Sequence, residues 1–106
     1  METIICKKLT NEQGRIIDIE LGGMLVLENS PHLKKELVGV MNHLNNKVKI
    51  RILNPEGLDL SCIQLLMAFI KHMDENHVTY SFEWSLDDDQ KTLLGNVGLC
   101  NELFIE

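Results

Sequence analysis

The stretch that decides the fold is residues 47–73, KVKIRILNPEGLDLSCIQLLMAFIKHM, in which two hydrophobic periods follow one another. Its first part alternates basic and apolar residues, the pattern of a strand with one buried and one exposed face. Residues 54–57, Asn-Pro-Glu-Gly, end that strand, because proline has no amide to give to a sheet. Residues 60–73 are apolar on two faces, which predicts a largely buried helix. A strand that leads into a buried helix is typical of an α/β fold.

The same two periods recur on both sides of this stretch, with a polar turn predicted at residues 10–14. Gly22 and Gly23 interrupt the early strands and mark a hairpin, a bend or a bulge. Ser30, just before Pro31, predicts a capped helix start. The predicted strands cover residues 3–6, 16–21, 24–27, 48–53 and 78–84, the predicted helices residues 30–45, 60–75 and 86–97, and a closing strand or packed tail residues 103–105. We therefore expect a single α/β domain over residues 1–106, with helices packed on a mixed sheet.

Composition argues against several classes of partner. The chain has 106 residues, 44% of them hydrophobic and 25% charged, the balance of a domain that builds its own core. Sixteen acidic against 10 scattered basic residues give a formal net charge of −6, so we expect no nucleic-acid partner. The longest apolar run, residues 65–70, is far shorter than the ~18 residues of a membrane span, so we expect no membrane insertion.

Motifs for catalysis, metal binding and disulfides are missing from the sequence. It contains no G-x-S-x-G, GxGxxG, Walker loop or H-E-x-x-H, and its four histidines lack ligand spacing. We therefore expect no enzyme activity, no cofactor and no metal, a small enzyme being the least favoured alternative. Three widely separated cysteines without a secretory signal predict reduced thiols and a cytoplasmic protein.

Three motifs, in order along the chain, carry a family resemblance. They are Leu-Gly-Gly-Met-Leu-Val-Leu-Glu-Asn-Ser at residues 21–30, Asp-Leu-Ser-Cys-Ile-Gln-Leu-Leu at residues 59–66, and Leu-Gly-Asn-Val-Gly-Leu at residues 94–99 with Leu103-Phe104. In this order they resemble the STAS domains, the sulphate-transporter and anti-sigma-factor-antagonist family, and most of all its small stand-alone bacterial members. The resemblance implies a STAS-like mixed sheet and places Ser61 where the family has its regulated serine. Leu60 and Cys62 depart from the family pattern of a hydroxyl residue before that serine and a glycine after it.

The resemblance implies a non-catalytic bacterial signalling module that binds a protein partner through residues 54–66. The implied partner is a serine kinase of the anti-sigma type or a chemotaxis component. The implied switch is phosphorylation of Ser61. A phosphate at a helix N-terminus is tolerated, so we expect binding to change and thermal stability to change little. The residues expected to contact the partner are Asn29, Ser30, Asn54, Pro55, Glu56, Asp59, Leu60 and Cys62. Residues 54–56 and 59–61 are expected to be at least partly exposed and to adjoin the turn at residues 28–30.

Capping of the second helix is the alternative role for Ser61. Ser61 and Gln64 fit a capping box. In this motif the serine hydroxyl accepts a hydrogen bond from a helix amide, and the glutamine side chain binds the amide of the serine. The chain would then be a constitutive scaffold or a small-ligand-binding STAS domain in which Ser61 only caps a helix. Asp59 fits the cap position equally well, and it would leave Ser61 exposed in the first helical turn.

Overall fold

Five strands and three α-helices alternate along residues 3–96, the part of the chain that the computed structural model describes. The strands are β1 (Ile4–Thr10), β2 (Ile16–Leu25), β3 (Leu44–Leu53), β4 (Gly57–Leu58) and β5 (Thr79–Ser85). The helices are α1 (Ser30–Val40), α2 (Leu60–Glu75) and α3 (Asp88–Asn96). The α/β class predicted from the sequence is confirmed, whereas the predicted closing segment at residues 103–105 lies outside the described residues.

The sheet is mixed, as the sequence predicts. β1 pairs antiparallel with β2, whereas β2, β3 and β5 are parallel, in the spatial order β1-β2-β3-β5. Parallel neighbours need a crossover, and α1 and α2 provide the two crossovers. The two-residue β4, which the sequence analysis missed, pairs in parallel with Met24 and Leu25 at the end of β2. The parallel strands therefore all end at the edge of the sheet from which α1 and α2 start.

One face of the sheet is apolar and carries the helices. Ile19, Ile50 and Phe82 lie side by side on β2, β3 and β5 and are at most 4% exposed. Leu33 of α1 and Leu66 of α2 are fully buried in the same core cluster. Burial of this surface is the main stabilising contribution to the domain.

The opposite face of the sheet carries charges. Arg51 contacts Asp18 at 3.2 Å and Glu20 at 3.4 Å, and Lys49 contacts Glu83 at 3.3 Å. These pairs join three neighbouring strands through side chains that alternate with the core residues. The outer face predicted for the basic residues of β3 is therefore confirmed.

α2 is the most buried of the three helices, as predicted. The predicted core residues Leu66 and Phe69 are confirmed, whereas Leu65 is half-buried and Met67 is 40% exposed. The helix is thus buried on one broad face rather than on two complete ones. Its buried side chains are Cys62, Ile63, Leu66, Phe69 and Met73.

The two adjacent glycines do not form a hairpin. β2 runs through Gly22 and Gly23, and Gly23 bends the strand locally with a φ of 77°. A Cβ on Gly23 would stand 2.5 Å from the carbonyl oxygen of Thr3, so only glycine fits. The hairpin lies instead at the predicted polar turn, where the Asn11 carboxamide oxygen accepts from the amide of Arg15 at 3.0 Å.

One predicted helix boundary is wrong, and another is displaced by two residues. α1 ends at Val40, and a short 3-10 turn (Met41–His43) leads into β3, because Leu44 is buried as the first residue of that strand. α3 begins at Asp88, later than predicted, because Asp87 and Gln90 close a reciprocal pair of hydrogen bonds of 2.8 and 3.1 Å at its start.

None of the helices within residues 3–96 has the length and apolar character to cross a membrane.

Candidate functional site

Asp59 joins the two loops from which α1 and α2 start. Its Oδ2 accepts a 2.7 Å hydrogen bond from the Leu27 amide, and its Oδ1 accepts from the amide of Cys62 at 3.5 Å and from the Ser61 hydroxyl. Its own amide donates to the carbonyl of Leu25 at 3.0 Å. Asp59 is therefore the N-cap of α2, and the capping box of Ser61 with Gln64 is wrong.

The Asp59 carboxylate carries a negative charge. Burial by itself raises the pKa of Asp59. Hydrogen bonds from the Ser61 hydroxyl and from the amides of Leu27, Cys62 and Ser61 outweigh burial and hold that pKa below its ordinary value. A fixed negative charge at the start of a helix is favourable because it faces the free amides there.

Ser61 lies in the first turn of α2, half-buried, at the wall of a groove of about 410 Å³ between α1 and α2. The first turn is the position expected for Ser61 if Asp59 caps the helix, but Ser61 is only partly exposed there. Its hydroxyl donates to Asp59 and points no hydrogen towards the groove. The groove is lined by Ser30, Pro31, Lys34, Ser61, Gln64 and Leu65.

Two exposed leucines are attached to the loops that Asp59 joins. Leu60, the residue directly after Asp59, is 44% exposed, as expected. Leu27, whose amide binds Asp59, is 63% exposed. The sequence does not point to Leu27, because its pattern places this residue at the end of an extended segment, whereas a 3-10 turn (Leu27–Asn29) turns it outward.

Asn29 and Ser30 follow Leu27, whose amide binds Asp59, and both are half-buried. The Asn29 side-chain amide donates to the carbonyl of Met24 at 2.8 Å, and the Ser30 hydroxyl donates to the carbonyl of Leu27 at 2.9 Å. Neither side chain caps α1, so the predicted cap at Ser30 is wrong. Both side chains instead fix the turn from which Leu27 projects.

The predicted residues Asn54 and Pro55 contact β5 and α3 rather than the groove. The Asn54 carboxamide oxygen accepts from the Ser85 hydroxyl at 2.9 Å, and the Pro55 carbonyl accepts from the side-chain amide of Gln90 at 2.9 Å. Asn54 and Glu56 are exposed, as expected, but Pro55 is buried, so its predicted exposure is wrong. The position of this loop at the end of the sheet predicts an exposed Pro55, but the contact of its carbonyl with the buried Gln90 keeps the residue covered.

Cys62 is fully buried, which corrects its expected contact with a partner. Its thiol donates to the carbonyl of Val26 at 3.6 Å. Burial, together with the charge of Asp59, raises the pKa of Cys62 to about 11. The thiol is therefore protonated at neutral pH and unreactive, and it holds the α2 start against the end of β2.

No cluster of three or more histidine, cysteine or acidic side chains suited to a metal ion occurs within residues 3–96. A scan against models of known protein families finds no match for the chain, and a search of curated proteins finds no relative. The resemblance to STAS domains therefore rests on the residue motifs described above.

Proposed function

We propose that this chain is a non-catalytic, cytoplasmic signalling module of the bacterial STAS type that binds a protein partner through the starts of α1 and α2. The observation that carries the proposal is the position of Ser61. Its hydroxyl is bound to the charged Asp59 at a groove wall, between loops that present Leu27 and Leu60 to solvent. Exposed apolar side chains bordered by polar groups are typical of protein–protein contacts.

Phosphorylation of Ser61 is the proposed switch. Transfer forms a bond between Oγ of Ser61 and the γ-phosphorus of a nucleoside triphosphate. It breaks the bond from that phosphorus to the β,γ-bridging oxygen, and it releases the hydroxyl proton and a nucleoside diphosphate. The product carries a charge of roughly −1.5 to −2 near pH 7. With Asp59 beside it, this charge makes the surface strongly negative without placing charge in the core.

The proposed partner is a serine kinase of the anti-sigma type or a component of a chemotaxis complex. A partner that places an acidic or apolar surface on Leu60 would be repelled by the phosphate, and one that presents arginines would be recruited. In both cases the affinity changes at the interface while the fold is kept.

Affinity capture from the native cells, followed by titration of the captured partner, tests this proposal. We expect Ser61→Asp to change the dissociation constant at least about tenfold, a change of ~1.4 kcal/mol. Ser81→Asp is the matched control because Ser81 is exposed on β5, on the opposite face of the sheet. Equal binding by Ser61→Asp and the unchanged chain would remove the switch.

A ligand-binding or scaffold role is the second candidate. The groove between α1 and α2, at about 410 Å³, is within the size range of small-molecule sites. In this role Ser61 is never modified, so it is unphosphorylated in protein from the native cells. Gln64→Ala, which alters the groove wall, would then have a large effect on ligand binding. The effect of Ser61→Asp on partner binding would be smaller.

A further inference from the structure

We propose that Lys34 is the residue that holds the phosphate of Ser61, so that modification moves the Ser61 side chain from one partner to another. In the unmodified chain the hydroxyl is bound to Asp59. In the modified chain the phosphate pairs with the Lys34 ammonium across the groove between α1 and α2. This inference rests on the proposed phosphorylation of Ser61, but the pairing can be measured without a kinase or a partner.

Lys34 is placed to receive a negative charge from α2. It lies on α1 and lines the same groove as Ser61, and of the described lining residues it carries the positive charge. Its side chain is exposed, and within residues 3–96 no carboxylate lies at ion-pair distance from it. Lys8, by contrast, is already paired with Glu36 at 2.9 Å. Lys34 is thus a free cation at the groove.

Asp59 drives the Ser61 side chain away once the phosphate is present. The unmodified hydroxyl donates its hydrogen to a carboxylate oxygen of Asp59. Phosphorylation removes that hydrogen and puts phosphate oxygens, which only accept, beside a group that also only accepts. Asp59 cannot move aside, because its other oxygen is fixed by the Leu27 amide at 2.7 Å. A rotation of the Ser61 side chain relieves the repulsion, and a staggered alternative exists for every serine.

The pairing has a consequence for the shape of the surface. A phosphate held by Lys34 bridges the groove from α2 to α1 and covers the apolar wall at Leu65. The modified chain then differs from the unmodified one in both charge and groove access. A carboxylate at position 61 carries less charge on a shorter side chain, so Ser61→Asp reproduces the charge only in part.

The test uses the full chain with phosphoserine incorporated at position 61 by genetic encoding, observed by ³¹P NMR from pH 4 to pH 9. Among the described residues that line the groove or bind Ser61, the charged groups are the Lys34 ammonium and the Asp59 carboxylate. The second pKa of a free phosphoserine is about 6. We expect Lys34→Gln to raise the second pKa of the Ser61 phosphate by about 0.3 to 0.7, the size of a partly exposed ion pair.

Lys35→Gln is the matched control, because Lys35 is exposed one residue further along the same helix. We expect it to move the phosphate pKa by about 0.1 or less at 0.15 M salt, and Lys34→Arg to keep the low value. An unchanged pKa in Lys34→Gln, or an equal rise in both glutamine variants, would overturn the pairing. The titration of Ser61→Asp with the partner is independent of either result.

Discussion

The amide of Leu27 donates a 2.7 Å hydrogen bond to Oδ2 of Asp59, 32 residues later in the chain. The other oxygen of the same carboxylate accepts from the first turn of α2. One side chain therefore sets both the start of α2 and the course of the loop before α1. The proposed partner-binding surface therefore depends on Asp59, because its two exposed leucines, Leu27 and Leu60, lie on these two segments.

Asp59→Asn should lower the free energy of unfolding by about 1 to 3 kcal/mol. The asparagine carboxamide keeps one acceptor oxygen, but an NH2 group replaces the other. That NH2 group faces a backbone N–H, which then has no acceptor. Chemical denaturation measures the loss. Asp74→Asn is the control, because Asp74 is exposed in the last turn of the same helix, where a negative charge is not favoured. Equal effects of the two changes would contradict the role of Asp59.

The contribution of Asp59 should depend on pH in one direction. Its pKa is lower in the folded chain than in the unfolded chain, where it is about 3.9, so folding favours the charged form. The stabilisation is full above the unfolded-state value and is lost as the pH falls through the lower folded value. Unfolding free energies between pH 7 and pH 2 should therefore converge for the unchanged chain and Asp59→Asn. A constant difference across this range would argue against a charged Asp59.

Ser61→Asp should destabilise the domain more than Ser61→Ala does. The sequence alone predicts little change, because a helix N-terminus favours an anion. The contact between Ser61 and Asp59 alters that expectation, since the new carboxylate replaces a hydrogen-bond donor with a like charge. We expect a difference of about 0.5 to 1.5 kcal/mol between the two variants, smaller in 1 M salt. Thermal melting in low and high salt measures it, and a salt-independent difference would count against electrostatic repulsion.

Gly23→Ala should be far more costly than Gly14→Ala. Both glycines have a φ near 78°, which costs an alanine about 1 to 2 kcal/mol. A Cβ at Gly14 meets no atom within 4 Å, whereas one at Gly23 meets the Thr3 carbonyl oxygen at 2.5 Å. We expect the Gly23 variant to lose about 3 to 5 kcal/mol in a urea titration. Similar losses would mean that β1 moves away from β2 easily.

The sequence predicts those parts of the fold whose signal is local. The alternation in β3 places Val48 and Ile50 in the core, and the apolar density of α2 places Leu66 and Phe69 there. Each of these patterns repeats over several residues, and burial of one face is enough to explain it. The mixed sheet follows from the order of such segments along the chain.

The contacts that define the candidate site come from distant parts of the chain, so no local pattern predicts them. The choice of Asp59 over Ser61 as the cap depends on the Leu27 amide, which only the folded chain brings near. The burial of Pro55 depends in the same way on Gln90, 35 residues later. A short polar loop has the same sequence signal whether it contacts solvent or another helix.

The charged face of the sheet offers a place to attach the protein to a surface or a dye. The groove and the exposed leucines lie with the helices, whereas Ser81 is on the other side of β5, near Lys47 and Lys49. A biotin or fluorophore carried by an encoded residue at position 81 would leave the helix starts untouched. Immobilised in that way, every molecule on a sensor would present the same side to solution, so that binding kinetics would be measured on a uniformly oriented layer.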